Sequence, residues 1–160
     1  MEIRRATEAD LPRLLDLRIR ALTDTPSAFG STVEAERART PERWRRWIDP
    51  GVTFLLGDPA EGLACGFPDP DHPGRTYLVS MWVAPEHRGR RHAEALVESV
   101  CEWATQRDDV DVFLHVVIGN TSAERLYERC GFRPTGEIVD MGDGRAEREL
   151  RRRLRPQKFS

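Results

Sequence analysis

The stretch Val83-Ala-Pro-Glu-His-Arg-Gly-Arg-Arg-His-Ala-Glu-Ala-Leu96 packs four basic side chains and one glycine into a few residues around 88–92. The run before it, 76–83, reads as a strand. After it, Ala93, Leu96, Val97, Val100, Cys101 and Ala104 recur at the spacing of one helix face. A strand that ends in a short turn and opens a helix leaves backbone N–H groups unpaired at the helix start. Those groups and the helix dipole favour an anion, typically a phosphate. Arg88, Arg90 and Arg91 add positive charge at the same place, and His92 either donates to that anion or covers the helix start. The chemistry expected here is therefore the holding of a phosphate or pyrophosphate. It is not that of a P-loop, since no Gly-x-x-x-x-Gly-Lys-Ser/Thr occurs in the chain. Asp69, Asp71 and His72 raise the question of a metal, but three prolines and a glycine in 68–74 mark a solvated hairpin tip, and no metal is expected.

The elements that must position this turn follow from pattern. A short first strand, 2–5, precedes a helix with Leu11, Leu14, Leu15, Ile19 and Leu22 on one face. Thr7 and Asp10 form a capping-box pattern ahead of it. Thr40-Pro41 starts a second helix whose apolar face is Trp44, Trp47 and Ile48. Strands are expected at 52–56, 62–67 and 76–83, the last two as an antiparallel hairpin. The nearly continuous apolar run 111–118 reads as a buried central strand. Strand, long helix and strand at this distance make a crossover that brings 76–83 and 111–118 side by side in parallel. A helix over 121–130 buries Ala123, Leu126, Tyr127 and Cys130, and two last strands span 132–139 and 145–153. The arginines at 148, 151, 152, 153 and 155 alternate with Glu147 and Glu149, the pattern of a solvated edge strand rather than a nucleic-acid surface.

The chain has 160 residues, a formal net charge of −2 and three scattered cysteines, Cys65, Cys101 and Cys130. That length suits one domain, residues 1–154, with a frayed tail over 155–160. The charge gives no general pull toward nucleic acid or an anionic membrane. The cysteine pattern fits buried thiols in a reducing, cytoplasmic setting. No stretch has the length of a membrane span or the make-up of a signal peptide.

Two stretches carry a family resemblance. Val83 to Ala93 resembles the acyl-CoA signature of the GNAT superfamily of N-acetyltransferases, Arg/Gln-x-x-Gly-x-Gly/Ala. Arg88 and Ala93 match, and Arg91 stands where that pattern has glycine. Asn120, Ala123, Leu126, Tyr127, Gly131 and Phe132 match every position of the family's second signature. The resemblance implies an α/β (α+β) single-domain GNAT-like fold with a mixed, mainly antiparallel sheet of six to seven strands and about four helices. It also implies an acetyl-CoA-dependent N-acetyltransferase acting directly on a primary amine of a small molecule or peptide. The alternative is a catalytically degenerate GNAT-fold module that binds CoA or a protein partner. A homodimer through the late strands stays open, and no nucleic-acid or membrane partner is expected.

By the same resemblance, the main chain of Met81, Trp82 and Val83 faces the pantetheine arm, with the Met81 N–H on the thioester oxygen. The turn Arg88, Gly89, Arg90, Arg91, His92 and Ala93 holds the pyrophosphate. Arg91 either narrows that cradle or points outward. Asn120 contacts the cofactor, and it also suits a helix N-cap. Tyr127 protonates the departing thiolate, a reasonable task for a phenol; otherwise it is a core tyrosine. The general base is not fixed, because 76–84 contains no carboxylate. Ser80 could hold a water, and His115 has the right intrinsic pKa unless it is simply a packed histidine. Glu34 and Glu36 are more distant candidates. Phe29, Trp44 and Trp47 either line the acceptor wall or pack the helices onto the sheet.

Overall fold

The computed structural model describes residues 1–154, and the expected frayed tail lies outside them. The elements run β1 (Ile3–Arg5), α1 (Leu11–Asp24), α2 (Val33–Arg37), α3 (Pro41–Arg45), β2 (Val52–Leu56), β3 (Gly62–Pro68), β4 (Arg75–Val83), α4 (His92–Gln106), β5 (Asp111–Val117), α5 (Thr121–Arg129), β6 (Arg133–Asp140) and β7 (Ala146–Arg153). They form one seven-stranded sheet in the order β1-β2-β3-β4-β5-β7-β6. Neighbours are antiparallel except β4 and β5, which run parallel as the α4 crossover requires.

Local chemistry sets several boundaries. The Thr7 N–H donates to Asp10 Oδ2 at 2.8 Å, and Arg4 forks onto both Asp10 oxygens at 2.9 and 2.7 Å. This ties β1 to the entry of α1 and holds the Asp10 carboxyl down at about 2, with the Arg4 hydrogen bond as the main cause. Thr40 Oγ1 accepts from the Arg43 N–H at the start of α3, with Pro41 at its first position.

α3 is shorter than the sequence pattern suggests. It ends at Arg45, and Trp47 and Ile48 lie in the turn that follows. The two tryptophans still meet, with ring centroids 4.9 Å apart, and Trp47 meets Phe67 edge-on at 5.8 Å. Both are buried, so they are core rather than acceptor wall. α2 was not expected: its five residues show no apolar face, and a cap from Thr32 to the Ala35 N–H supports it instead. The expected edge position of the arginine-rich strand is also corrected. β7 pairs with β5 on one side and β6 on the other, so the edges are β1 and β6. Its arginines divide by face, as period 2 demands. Arg148 reaches Glu124 of α5 at 3.5 Å and Arg152 reaches Glu98 of α4 at 2.6 Å.

Two cores flank the sheet. One joins Val97, Val100, Cys101 and Ala104 of α4 and Leu126 and Tyr127 of α5 to Val52, Leu78, Val112 and Leu114. The other joins Leu14, Leu17 and Ala21 of α1 with Trp44 and Trp47 to Leu55, Leu63, Cys65 and Trp82. α4 lies close on β3 because residue 66 has no side chain: a Cβ there would meet Val100 Cγ1 at 2.9 Å. That closeness fixes where the helix start points.

Candidate active site

Pairing between β4 and β5 stops at Tyr77 and Phe113, although both strands continue. Beyond that point the strands part around a cleft of about 870 Å³. On its other side β4 slips against β3 between Leu63 and Cys65, where one extra β4 residue is accommodated. Ser80 takes a left-handed backbone there, with φ 57°. Such bulges turn main-chain groups out of the ladder. Ser80, Met81, Trp82 and Val83 all line the cleft. The Trp82 side chain points the other way, into the α1-side core, so what it can offer the cleft is main chain.

The basic turn closes one end. Gly89 has φ 80° with open space around its Cα. Arg91 is the N-cap of α4 and is itself left-handed, at φ 63° and ψ 18°. Among the described residues the N-cap side chain makes no capping bond, and the N–H groups of His92 and Ala93 have no backbone acceptor. The helix start therefore presents open donors to the cleft. Arg88, Gly89, Arg91, His92 and Ala93 line it; Arg90 does not and is exposed. Arg88 is already occupied. Its Nη2 donates to Asp24 Oδ2 at 2.6 Å and its Nε to the Val83 carbonyl at 2.9 Å. It fastens the turn to the end of α1 rather than offering a free charge. Asp24 also accepts from Trp82 Nε1 at 3.0 Å. That bond, with those of Thr25 and Arg88, holds its carboxyl down at about 2. Burial, with the charges of the chain N-terminus, Arg90 and His87, lowers the His92 pKa, so His92 is mainly neutral at pH 7. His87, not singled out in the sequence, also lines the cleft and has a buried Nδ1 without a partner among the described residues.

α5 supplies the facing wall. Asn120 caps it, with Oδ1 accepting from the Ala123 N–H at 3.4 Å, and also lines the cleft. The cap uses the oxygen, so the Asn120 NH2 stays available. Tyr127 lines the cleft two turns further on, against Phe132. Burial pushes its phenol well above the ordinary tyrosine range, so it stays protonated at any physiological pH.

On the opposite face His115 stacks on Tyr77, with ring centroids 5.9 Å apart, and its Nε2 lies 3.3 Å from Glu149 Oε2. His115 and Ser80 share the cleft with Phe29, Arg18, Arg39 and Glu147. The sequence pattern gave no sign of Arg18, Arg39 or Glu147, because only the sheet order and the α1–α3 layer bring them there. Glu36 is wholly buried among Arg18, Arg39 and Ser31 rather than lying free as a base.

Comparison with known proteins agrees with this geometry. The Acetyltransferase (GNAT) family pattern matches residues 15–132. A Vibrio cholerae spermidine N(1)-acetyltransferase is 36% identical over 67 residues, covering 41% of this chain and 39% of that protein. A Thermobispora bispora mycothiol acetyltransferase is 34% identical over 128 residues, covering 74% of this chain and 41% of that protein. The chain thus spans about two fifths of the length of the curated relatives it matches. A ribosomal-protein-alanine N-acetyltransferase from Brucella melitensis has the same fold, with TM-score 0.77, 22% identity, and coverage of 96% of this chain and 100% of that one. So does yncA from Salmonella typhimurium, solved with its cofactor acetyl-CoA, with TM-score 0.78, 17% identity and coverage of 100% and 97%. The family match takes in both signature stretches and more than half of the sequence, and the chain belongs to the acetyltransferase (GNAT) family.

Proposed function

We propose that the protein is an acetyl-CoA-dependent N-acetyltransferase that passes an acetyl group directly to a primary amine. One observation carries this reading: the parted strands, the bulge at Ser80, the uncapped start of α4 and Tyr127 all open on one cleft. Acetyl-CoA supplies an activated thioester, and the open donors of the turn and the main chain of Met81 to Val83 suit its pyrophosphate and its pantetheine arm.

The Met81 N–H, beside the bulge, stabilises negative charge on the thioester oxygen. Asn120 orients the arm through its free NH2. Tyr127 donates a hydrogen bond to the leaving sulfur. Its raised pKa makes it a weaker acid than an ordinary phenol, so it acts mainly by stabilising the thiolate and completes the proton transfer late. His115, oriented by Glu149, takes the proton from the incoming amine, directly or through a water on Ser80. Arg91 lends no support to a degenerate module, since its backbone has the turn's left-handed conformation and its side chain is exposed.

Calorimetric titration with acetyl-CoA and CoA, followed by thiol release over an amine panel, tests the reading. Micromolar binding and amine-dependent thiol release are expected. Absence of cofactor binding up to millimolar concentration would sink it.

A further inference from the structure

The mechanism above leaves one buried cluster of charge without a role. Arg18 of α1 is only 7% exposed and lines the cleft, and among the described residues its Nε and Nη1 have no hydrogen-bond partner. Its nearest carboxylate is Glu36, whose Oε1 stands 3.7 Å from Nε. Glu36 is already shared. Ser31 Oγ donates to Oε1 at 2.6 Å, and Arg39 Nε lies 3.1 Å from Oε2. Arg39 lines the cleft too. Two guanidiniums thus divide one carboxylate, and the cluster keeps an excess of one positive charge.

A purely structural ion pair in such a place would close to hydrogen-bond distance, because buried donors without partners are costly. This one does not close. Burial depresses the Arg18 pKa and Glu36 only partly restores it, consistent with a cation short of counter-charge. The Phe29 ring lies 4.8 Å from Arg18 Cζ and supports one face of the guanidinium. A planar anion at its edge would complete the set, and a carboxylate fits the guanidinium fork best. Acidic groups stand on another wall of the cleft: Glu147 lines it, and Glu149 pairs with His115.

We propose that the acceptor is an amine that also carries a carboxylate, held by Arg18 and Arg39, with its amine end toward His115 and Glu147. This rests on the acetyl-transfer reading and narrows it to amino acids and related amino-carboxylates. A polyamine would bring its own positive charge against Arg18 and Arg39.

The test uses the whole chain and one arm of it needs no turnover. N-acetyl amino acids and their carboxamides are titrated into the protein mixed with CoA. The parent amines and spermidine are offered with acetyl-CoA and followed by thiol release. At least one carboxylate should bind ten-fold or more tighter than its carboxamide. Arg18→Gln should erase that preference while acetyl-CoA affinity stays within two-fold. Arg39→Gln, on the cluster's outer side, should weaken the preference several-fold and serves if the Arg18 variant does not fold. Acid and amide binding alike, no member of the panel binding, or spermidine acetylated faster than every amino acid would each overturn the proposal. In the last case acetyl transfer itself would stand. Carboxylate selectivity in a protein that binds no CoA would instead support the anion site and remove the transferase reading.

Discussion

Arg91 occupies a left-handed backbone position where glycine carries no Cβ penalty. The strain of a non-glycine residue there is about 1–2 kcal/mol. Part of it is offset because glycine has the more flexible unfolded chain, by about 0.4–1 kcal/mol. Arg91→Gly is therefore expected to stabilise the fold by roughly 0.5–1 kcal/mol, read as a higher midpoint in urea. Acetyl-CoA affinity should change by only a few-fold, since the donors of the cradle are main-chain groups. A large loss of affinity would show that the arginine side chain itself holds phosphate. Tyr127 makes the sharper kinetic prediction. Tyr127→Phe keeps the ring among its apolar neighbours and removes only the hydroxyl. Turnover should fall about 10²-fold, the scale of lost general-acid assistance, with the cofactor dissociation constant unchanged. Unaltered turnover would return Tyr127 to the role of a core residue.

At the scale of elements, Asp24 is the clamp. It ends α1, where a carboxylate sits badly against the helix dipole, yet it binds Trp82 of β4 and Arg88 of the turn. Those partners repay the poor position and lock the turn to both elements. The pKa of Asp24 is lowered in the fold from 3.8 to about 2. A depressed carboxyl contributes stability that is present above its unfolded value and lost as pH falls through its folded one. Asp10 behaves likewise, from 3.8 to about 2. Acid titration followed by circular dichroism should therefore show stability falling between about pH 4 and pH 2. Asp24→Asn should flatten that fall and weaken acetyl-CoA binding by loosening the turn; a variant with the wild-type acid profile would contradict the clamp. Gly66 sets the other constraint on this region. Gly66→Ala must displace Val100 or α4, and should cost about 1–3 kcal/mol, with a loss of cofactor affinity because α4 carries the open donors. A neutral outcome would mean that α4 shifts freely.

In the whole molecule the cleft exists because two strands that belong side by side pair for only three residues each, Arg75–Tyr77 with Asp111–Phe113. The α1–α3 layer then closes one side and α4 with α5 the other. His115 and Glu149 meet through the antiparallel β5–β7 register, which sets them directly opposite. His115→Asn and Glu149→Gln should both lower kcat/KM for the amine near pH 7 without altering acetyl-CoA binding, the first more than the second. Equal activity in both variants would assign proton removal to water alone.

Most elements were legible because they are written in local terms. Apolar period 3.6 marks α1 and α4, continuous hydrophobicity marks β5, and proline and glycine punctuate the β3–β4 hairpin. The two signature stretches were legible for the same reason, since each is one contiguous turn or helix start. What stayed hidden depends on packing between distant segments. The sequence alone did not reveal that β7 is inserted between β5 and β6, or that Arg88 is taken up by Asp24 across 64 positions of chain. The meeting of Arg18, Arg39 and Glu147 on one cleft was equally hidden, because they come from α1, the link between α2 and α3, and β7. The chain by itself determined the family and the local elements that carry the basic turn and Tyr127, because each is written in one contiguous stretch. Only the tertiary structure decided which charged side chains share the cleft, because that depends on side chains brought together by the sheet order.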